Sequence, residues 1–376
     1  LLDNNANVMA LSNKHNTPLH LAAAHGTNPE VLVVLLDNGA DIEAKNRYDP
    51  YDPRMDKSRG SELPIHEMTP LHAAAIGTPN PAIIKTLLDR GANIHARDSA
   101  GNSPLHHAVA TYTINPNQGT DVIEELLKHH ASVEATNNDN VSPLHLAAFI
   151  PNVDIINTLL RHLKNKALIN TASKKSGYTP LHIAAGENQN PEVIRVLLNH
   201  NADIKAKSLR NGDTPLHGAA LYNPNLAVIE ILFNEEIKNE PNNKGITPFH
   251  YATINPNPNV MRFFITKEVD IMALNIEKHT PLHYAAAYGT NPLAIDILVN
   301  NGAVIDAQSI NGSTPLHTAA ISNQNPAIIE ALLKNDADPH ALDFNLMKPV
   351  DIALRYNPNP EVRSVLQKAT AIDGDY

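Results

Sequence analysis

Apolar residues fall along this chain in two alternating kinds of stretch. One is short, rich in Ala, and opens with a fixed tetrapeptide; the other is longer and crowded with branched aliphatic residues. Thr17-Pro18-Leu19-His20 with Ala22-Ala23 is followed by Val31-Leu32-Val33-Val34-Leu35-Leu36. Thr69-Pro70-Leu71-His72 is likewise followed by Ile83-Ile84-Lys85-Thr86-Leu87-Leu88. The tetrapeptide starts again at Ser103, Ser142, Thr179, Thr214, Thr247, Thr280 and Thr314, and a worn tenth copy reads Lys348-Pro349-Val350-Asp351. Successive steps are 52, 34, 39, 37, 35, 33, 33, 34 and 34 residues. A period near 34 marks a repeat architecture, in which each unit is one supersecondary element stacked on the next.

Both stretches predict short helices. Thr or Ser caps a helix by accepting a bond from a free amide of the first turn. Pro fits the first helical position, where its missing N–H is no loss. The Leu points to the core, and the His, three residues after the cap, can reach back as the Glu of a capping box does. The Ala pairs allow close approach of neighbouring helices. The second helix starts at Asn-Pro, found at Asn28, Asn80, Asn190, Asn257, Asn291, Asn325 and Asn359, where Asn caps and Pro opens the helix.

In this order of parts the chain resembles the ankyrin repeat. Each unit has the TPLH opening, a small-residue helix, a loop, a second helix and a tail of the Gly39-Ala40-Asp41-Ile42 or Gly91-Ala92-Asn93-Ile94 type. The resemblance covers nearly the whole chain. It implies an all-α solenoid of about ten stacked helix-loop-helix repeats with hairpin-like connecting loops, in which each repeat contacts only its neighbours. Residues 1–376 are read as a single array, with 1–12 the end of a partial repeat, 347–370 a polar capping repeat and 371–376 a tail. The family's usual inter-helix loop is one residue shorter, so the Asn-Pro loop accounts for a step of 34. In this family an Asn in the hairpin tail can be hydroxylated. That slot holds Glu43, His95, Glu134, Lys205, Met272, Asp306 or His340 in most copies, and Asn170 is its one match.

The step of 52 hides an insertion over residues 46–66, expected to be dispensable for folding. It is read either as a mobile surface loop or as a finger over the binding face, with Tyr48, Tyr51 and Arg54 as contacts. The unit from Ser103 has a longer inter-helix loop, 112–119. The second helix of the unit from Ser142 is expected to run through Lys164. The unit from Thr214 lacks the Gly-Ala-Asp tail.

Composition narrows the chemistry. The formal net charge is −10, which argues against a nucleic-acid partner. Cys is absent, which removes disulfides, thiolate metal sites and Cys nucleophiles. No apolar run is long enough to span a bilayer, so no membrane insertion is expected. Of 20 His residues, nine are the His of the motif. Neighbouring helices pack about 10 Å apart, too far for two such rings to share an ion, so hydrogen bonding is expected of them and no metal or cofactor. The Ser103/His106 and Ser142/His145 pairs lie inside the capping motif, and no nucleophile elbow surrounds either. No catalytic residue is therefore assigned. Asn is unusually frequent, at 45 residues, which is read as a bias of the genome.

What remains is recognition of a protein partner through a concave groove and hairpin tips. The residues just before Thr and just after the Ala pair project into that groove in the family. Here they are Tyr178 and Ile246 before Thr, and Phe149, Leu221, Tyr222, Ile254, Tyr288, Ile321 and Tyr356 after the pair. The irregular, Asn-rich repeats and the abrupt opening at Leu1 fit the targeting arm of a larger protein, of the secreted bacterial effector kind. The alternative is a substrate-recruiting arm of an enzyme whose catalytic domain lies outside this chain, and a third reading is a mechanical spacer.

Overall fold

A computed structural model describes residues 6–13, 15–46, 67–112 and 120–371. They form two compact units, one of residues 1–180 with 196–202 and one of residues 181–195 with 203–376. Both are built from pairs of α-helices, and no strand occurs among the described residues. The first unit holds the pairs Pro18–His25 and Glu30–Asp37, Pro70–Gly77 and Pro81–Asp89, Pro104–Thr111 and Asp121–Lys128, Pro143–Ala147 and Val153–His162. The second holds Pro215–Tyr222 and Leu226–Leu232, Pro248–Ala252 and Pro258–Thr266, Pro281–Tyr288 and Leu293–Asn300, Pro315–Ser322 and Pro326–Lys334, Pro349–Tyr356 and Pro360–Ala371. Pro180–Glu187 and Pro191–Asn199 contribute to both units. Among the described residues, no helix is long and apolar enough to cross a membrane.

First helices stack through their small residues. Ala184, Ala185, Ala219, Ala220, Ala285, Ala286, Ala319 and Ala320 have no exposed surface. At Gly77 the contact is closer still: a Cβ there would lie 2.3 Å from the Ala24 carbonyl oxygen, so no larger residue fits. Second helices bury Ile and Leu on the inner side, among them Ile83, Ile84 and Leu87, and Ile328, Ile329 and Leu332. They end at a position with positive φ, taken by Gly39, Gly91 and Gly302 but also by His130, Asn201, Glu268 and Asp336.

The motif His joins one repeat to the next. In eight copies the Thr or Ser hydroxyl lies 2.8–2.9 Å from the ring Nδ1. The backbone N–H of the same Thr or Ser also donates to Nδ1, at 3.1–3.3 Å. Nε2 meets a backbone carbonyl of the following repeat, such as Met68 from His20, Asn102 from His72, Ile246 from His217 and Ser313 from His283. Two donors at Nδ1 and an acceptor at Nε2 select the neutral ring with its proton on Nε2. The Ser of Ser103 and Ser142 is thus held by the ring it faces, as Thr is elsewhere. At His145 Nε2 makes no well-formed hydrogen bond, although the backbone of Tyr178 still favours the ring's charged form. In the tenth copy Asp351 Oδ2 accepts the Lys348 N–H at 2.9 Å.

Burial pushes the rings of His72, His106, His145, His250 and His283 down to about 4. It also lowers those of His20, His182, His217 and His317. Replacing His217 by Ala removes these bonds and leaves the Ile246 carbonyl with the Asn242 N–H alone. The expected loss is about 1–3 kcal/mol of stability, read from the urea midpoint. A rise in melting temperature with added divalent metal, at a defined stoichiometry, would contradict a purely hydrogen-bonding role.

Several local expectations change. The Asn residues are structural. Asn223 Nδ2 donates to the Ala185 and Asn188 carbonyls at the end of the preceding first helix and in the loop after it, Asn255 Nδ2 to those of Ala220 and Asn223, Asn323 Nδ2 to those of Ala286 and Gly289, and Asn357 Nδ2 to those of Ala320 and Asn323. These amides are buried, so the composition reflects a ladder between inter-helix loops and not a bias of the genome alone. Asn46 pairs with Glu67 and Met68 through backbone bonds and with Asn16 through its side chain, so it belongs to the repeat frame. The rest of the insertion, residues 47–66, lies outside the described residues, as do 113–119. The second helix of the Ser142 unit stops at His162, where Leu163 turns to extended backbone, and a 3₁₀ helix follows at Lys166–Asn170. Ala371 closes the last helix and is not part of a tail. Near the start, Met9 Sδ accepts the Asp41 N–H as Met272 Sδ accepts that of Val304.

Candidate interaction surface

Two helical positions of the second unit build its most aromatic face. One directly follows the motif His and holds Tyr251 and Tyr284. Its side chain leans toward the first residue of the hairpin turn, and Asn275 Nδ2 lies 3.4 Å from the Tyr284 hydroxyl. The other ends the first helix and holds Tyr222, Tyr288 and Tyr356, which are 58%, 61% and 56% exposed. The rings touch edge to face: Tyr251 and Tyr284 at 6.4 Å, Tyr284 and Tyr288 at 5.8 Å, His250 and Tyr284 at 5.1 Å. Burial raises the Tyr284 hydroxyl to about 12 and that of Tyr251 further, so both remain protonated donors at neutral pH. The Tyr222 ring rests 3.7 Å from where a Cβ on Gly186 would stand.

A cleft of about 240 Å³ lies beside this row. Tyr284, Tyr288 and Ile321 form its helical wall, and Glu277, Asn311 and Ser313 of the hairpins form the other. On the far side of Tyr288 is a shallower hollow edged by Ser322, Asn323, Gln324 and Asn325. The Tyr288 ring lines both hollows. The walls offer hydroxyl and amide groups with one carboxylate, Glu277, which lies 3.3 Å from His279 Nδ1. These groups can bind and orient a chain laid along them. Both nitrogens of His283, which also lines the cleft, are taken up by Thr280 and Ser313. Among the described residues, no three His, Cys, Asp or Glu side chains are placed to hold a metal ion.

The residues singled out from the sequence divide unevenly. Tyr222, Tyr288 and Ile321 are exposed on the second unit, with Ile321 at 46%. Leu221 and Ile254 are half-buried on the same unit. Phe149 is exposed and Tyr178 half-buried, and both belong to the first unit. Ile246 is buried at 5% exposure, because its carbonyl must reach His217, so it is no groove residue. Tyr48, Tyr51 and Arg54 lie outside the described residues. Tyr251 and Tyr284 were not expected; their signal was a bulky residue straight after the motif His, where Gly218 and Thr318 stand in other copies. Asn170 ties its amide to the Asn201 carbonyl at 3.2 Å.

Comparison with known families matches a single ankyrin repeat to residues 14–47, ankyrin repeats in many copies to 71–111, and ankyrin repeats in three copies to 112–208, 205–275 and 255–343. The chain belongs to the ankyrin repeat family. Ankyrin repeats are protein–protein interaction modules, in general without catalytic activity of their own. A fowlpox virus ankyrin repeat protein is 38% identical over 120 residues, 31% of this chain and 33% of its own length. The B-cell lymphoma 3 protein homolog of Mus musculus is 31% identical over 184 residues, 48% of this chain and 34% of its own. The nuclear factor NF-kappa-B p105 subunit of Gallus gallus is 31% identical over 140 residues, 36% of this chain and 13% of its own. The matched part is thus about a third of these relatives or less.

Proposed function

We propose that the second unit binds a protein partner along the face formed by its first helices and hairpins, with Tyr222 and Tyr288 as anchors. The observation that carries this is the exposed aromatic row. The Tyr222, Tyr288 and Tyr356 rings present more than half their surface while their helices are fully supported without them. These tyrosines stand on alternate repeats, with Asn255 and Ser322 at the same position between them; exposed apolar patches tend to mark interaction sites, and Tyr is a favoured hot-spot residue. The T-shaped contacts hold Tyr288 in place before any partner arrives, which reduces the ordering lost on binding. A partner captured by crosslinking and pull-down supplies the assay. Tyr222→Ala and Tyr288→Ala should each weaken its binding by about 2 kcal/mol, with the melting temperature nearly unchanged. Normal binding by both variants, or a loss of binding matched by a loss of stability, would refute the assignment.

A further inference from the structure

The hairpins of the second unit carry another exposed apolar set, apart from the tyrosine row. Leu209, Ile276, Ile310 and Phe344 each follow the first residue of a hairpin turn, and they are 73%, 64%, 51% and 69% exposed. Leu346, near the same tip as Phe344, is 76% exposed. Backbone bonds hold successive tips in register: Ile276 N–H donates to the Lys244 carbonyl at 3.0 Å, Ile310 to Glu277 at 2.8 Å and Phe344 to Asn311 at 3.0 Å. The Phe344 ring is laid over Gly312, where a Cβ would come within 2.5 Å of it. These side chains therefore stand on a supported edge.

The charges on that edge are as unusual as its apolar groups. Arg210, Lys244 and Lys278 are exposed on three successive tips, and none pairs with a carboxylate among the described residues. Cations lower in the hairpins are matched: Lys205 by Glu236, Lys207 by Glu240 and Lys238 by Glu235. Glu277, beside Lys278, is turned toward His279. In a chain of net charge −10, three unmatched cations among large exposed apolar groups form a local field of opposite sign to the rest.

We propose that this tip edge docks an extended segment of a protein partner that carries carboxylates interspersed with large apolar side chains. The apolar groups of such a segment would cover Ile276, Ile310 and Phe344, and its carboxylates would meet Arg210, Lys244 and Lys278. Successive tips stand about 10 Å apart, two strand spacings, and one three-residue turn of a polyproline II segment advances about 9 Å and returns every third side chain to the same face. The pattern that fits is an apolar residue at every third position with acidic residues between. This deepens the reading of the second unit as a binding unit and rests on it, yet it can fail while the tyrosine row still binds.

The probe is a fluorescein-labelled peptide of four Glu-Glu-Leu repeats, followed by anisotropy with the full chain. The comparison peptides have Lys for Glu, or Ser for Leu. The acidic apolar peptide should bind, and binding should weaken as salt is raised from low to physiological strength. Both comparison peptides should bind at least tenfold more weakly. The triple variant Arg210→Glu, Lys244→Glu, Lys278→Glu should lose at least tenfold in affinity with an unchanged melting curve, as should Ile310→Ser with Phe344→Ser. Tyr222→Ala with Tyr288→Ala should leave peptide affinity intact. Equal binding of the Lys peptide, or loss of binding in the tyrosine variants but not the tip variants, overturns the tip assignment; the latter result would favour the groove. Absence of peptide binding at millimolar concentration, or tip-dependent co-sedimentation with phosphatidylserine vesicles in its place, overturns it as well.

Discussion

Acidification from pH 7 to pH 5 is expected to destabilise the array steeply, well before its carboxylates titrate. Five motif rings with pKa values near 4 are His72, His106, His145, His250 and His283, all buried with at most 1% of their surface exposed. In the unfolded chain an imidazole titrates near 6.5. Below that value the unfolded state binds protons that the folded state refuses, so stability falls as pH falls and levels off only below about 4. The chief physical cause is burial, which penalises the charged ring, and the geometry of Nδ1 acts in the same sense. A charged ring would carry a proton there, against the N–H of its own Thr or Ser and out of reach of water. Each such ring is expected to lose about 2 kcal/mol of stability by pH 5 and about 3 kcal/mol below pH 4. Since an array need not unfold as one transition, the readout is hydrogen exchange repeat by repeat, with the urea midpoint beside it. Stability that stays flat between pH 7 and pH 5 would show that these rings carry their charge without strain.

A second large effect is expected at Asn223. Its amide donates to two carbonyls, at 3.0 Å and 2.8 Å, its Oδ1 accepts the Asn225 N–H at 2.9 Å, and it has no exposed surface. Asn223→Ala removes the hydrogen bonds to two buried carbonyls and to one backbone amide. A loss of about 2–4 kcal/mol follows from the size of such penalties. Asn223→Asp should lose more, because a carboxylate would face the Ala185 and Asn188 carbonyls that the amide now serves. Asn225→Ala, where the residue is partly exposed and acts chiefly as a helix cap, should lose about 1 kcal/mol. Chemical denaturation of the three variants checks the order; an Asn223→Ala protein within 0.5 kcal/mol of the parent, or less affected than Asn225→Ala, would contradict the ladder.

How much of this was legible in the sequence depended on distance along the chain. The cap formed by Thr, Pro and His is local, so three residues revealed it. The second bond of the same His, to a carbonyl about 30 residues on, was not, because nothing at Ile246 or Ser313 marks its backbone oxygen as an acceptor. The Asn ladder was missed for the same reason. Asn223, Asn255 and Asn323 look like loop composition until their amides are seen to cross between repeats. On the candidate surface, the outermost position of the first helix gave Tyr222 and Tyr288, since exposure there follows from helical geometry alone. Tyr251 and Tyr284 stood in the half-buried position after the motif His, which reads as core. Ile246 looked exposed by its place before Thr and is buried by the turn that presents its carbonyl. The tip residues Ile276, Ile310 and Phe344 were passed over because apolar residues in a turn carry no periodic signal, and only the backbone bonds between tips align them.

The claim that partner binding uses the inner row of the second unit is tested most directly by photocrosslinking. A benzophenone-bearing phenylalanine analogue would replace Tyr222 or Tyr288 on the first helices, or Glu230 or Glu330 on the exposed side of the second helices. With the captured partner present, the probes at Tyr222 and Tyr288 should yield a covalent adduct and those at Glu230 and Glu330 should not. Adducts from the second-helix positions alone would place the partner on the other face and contradict the account.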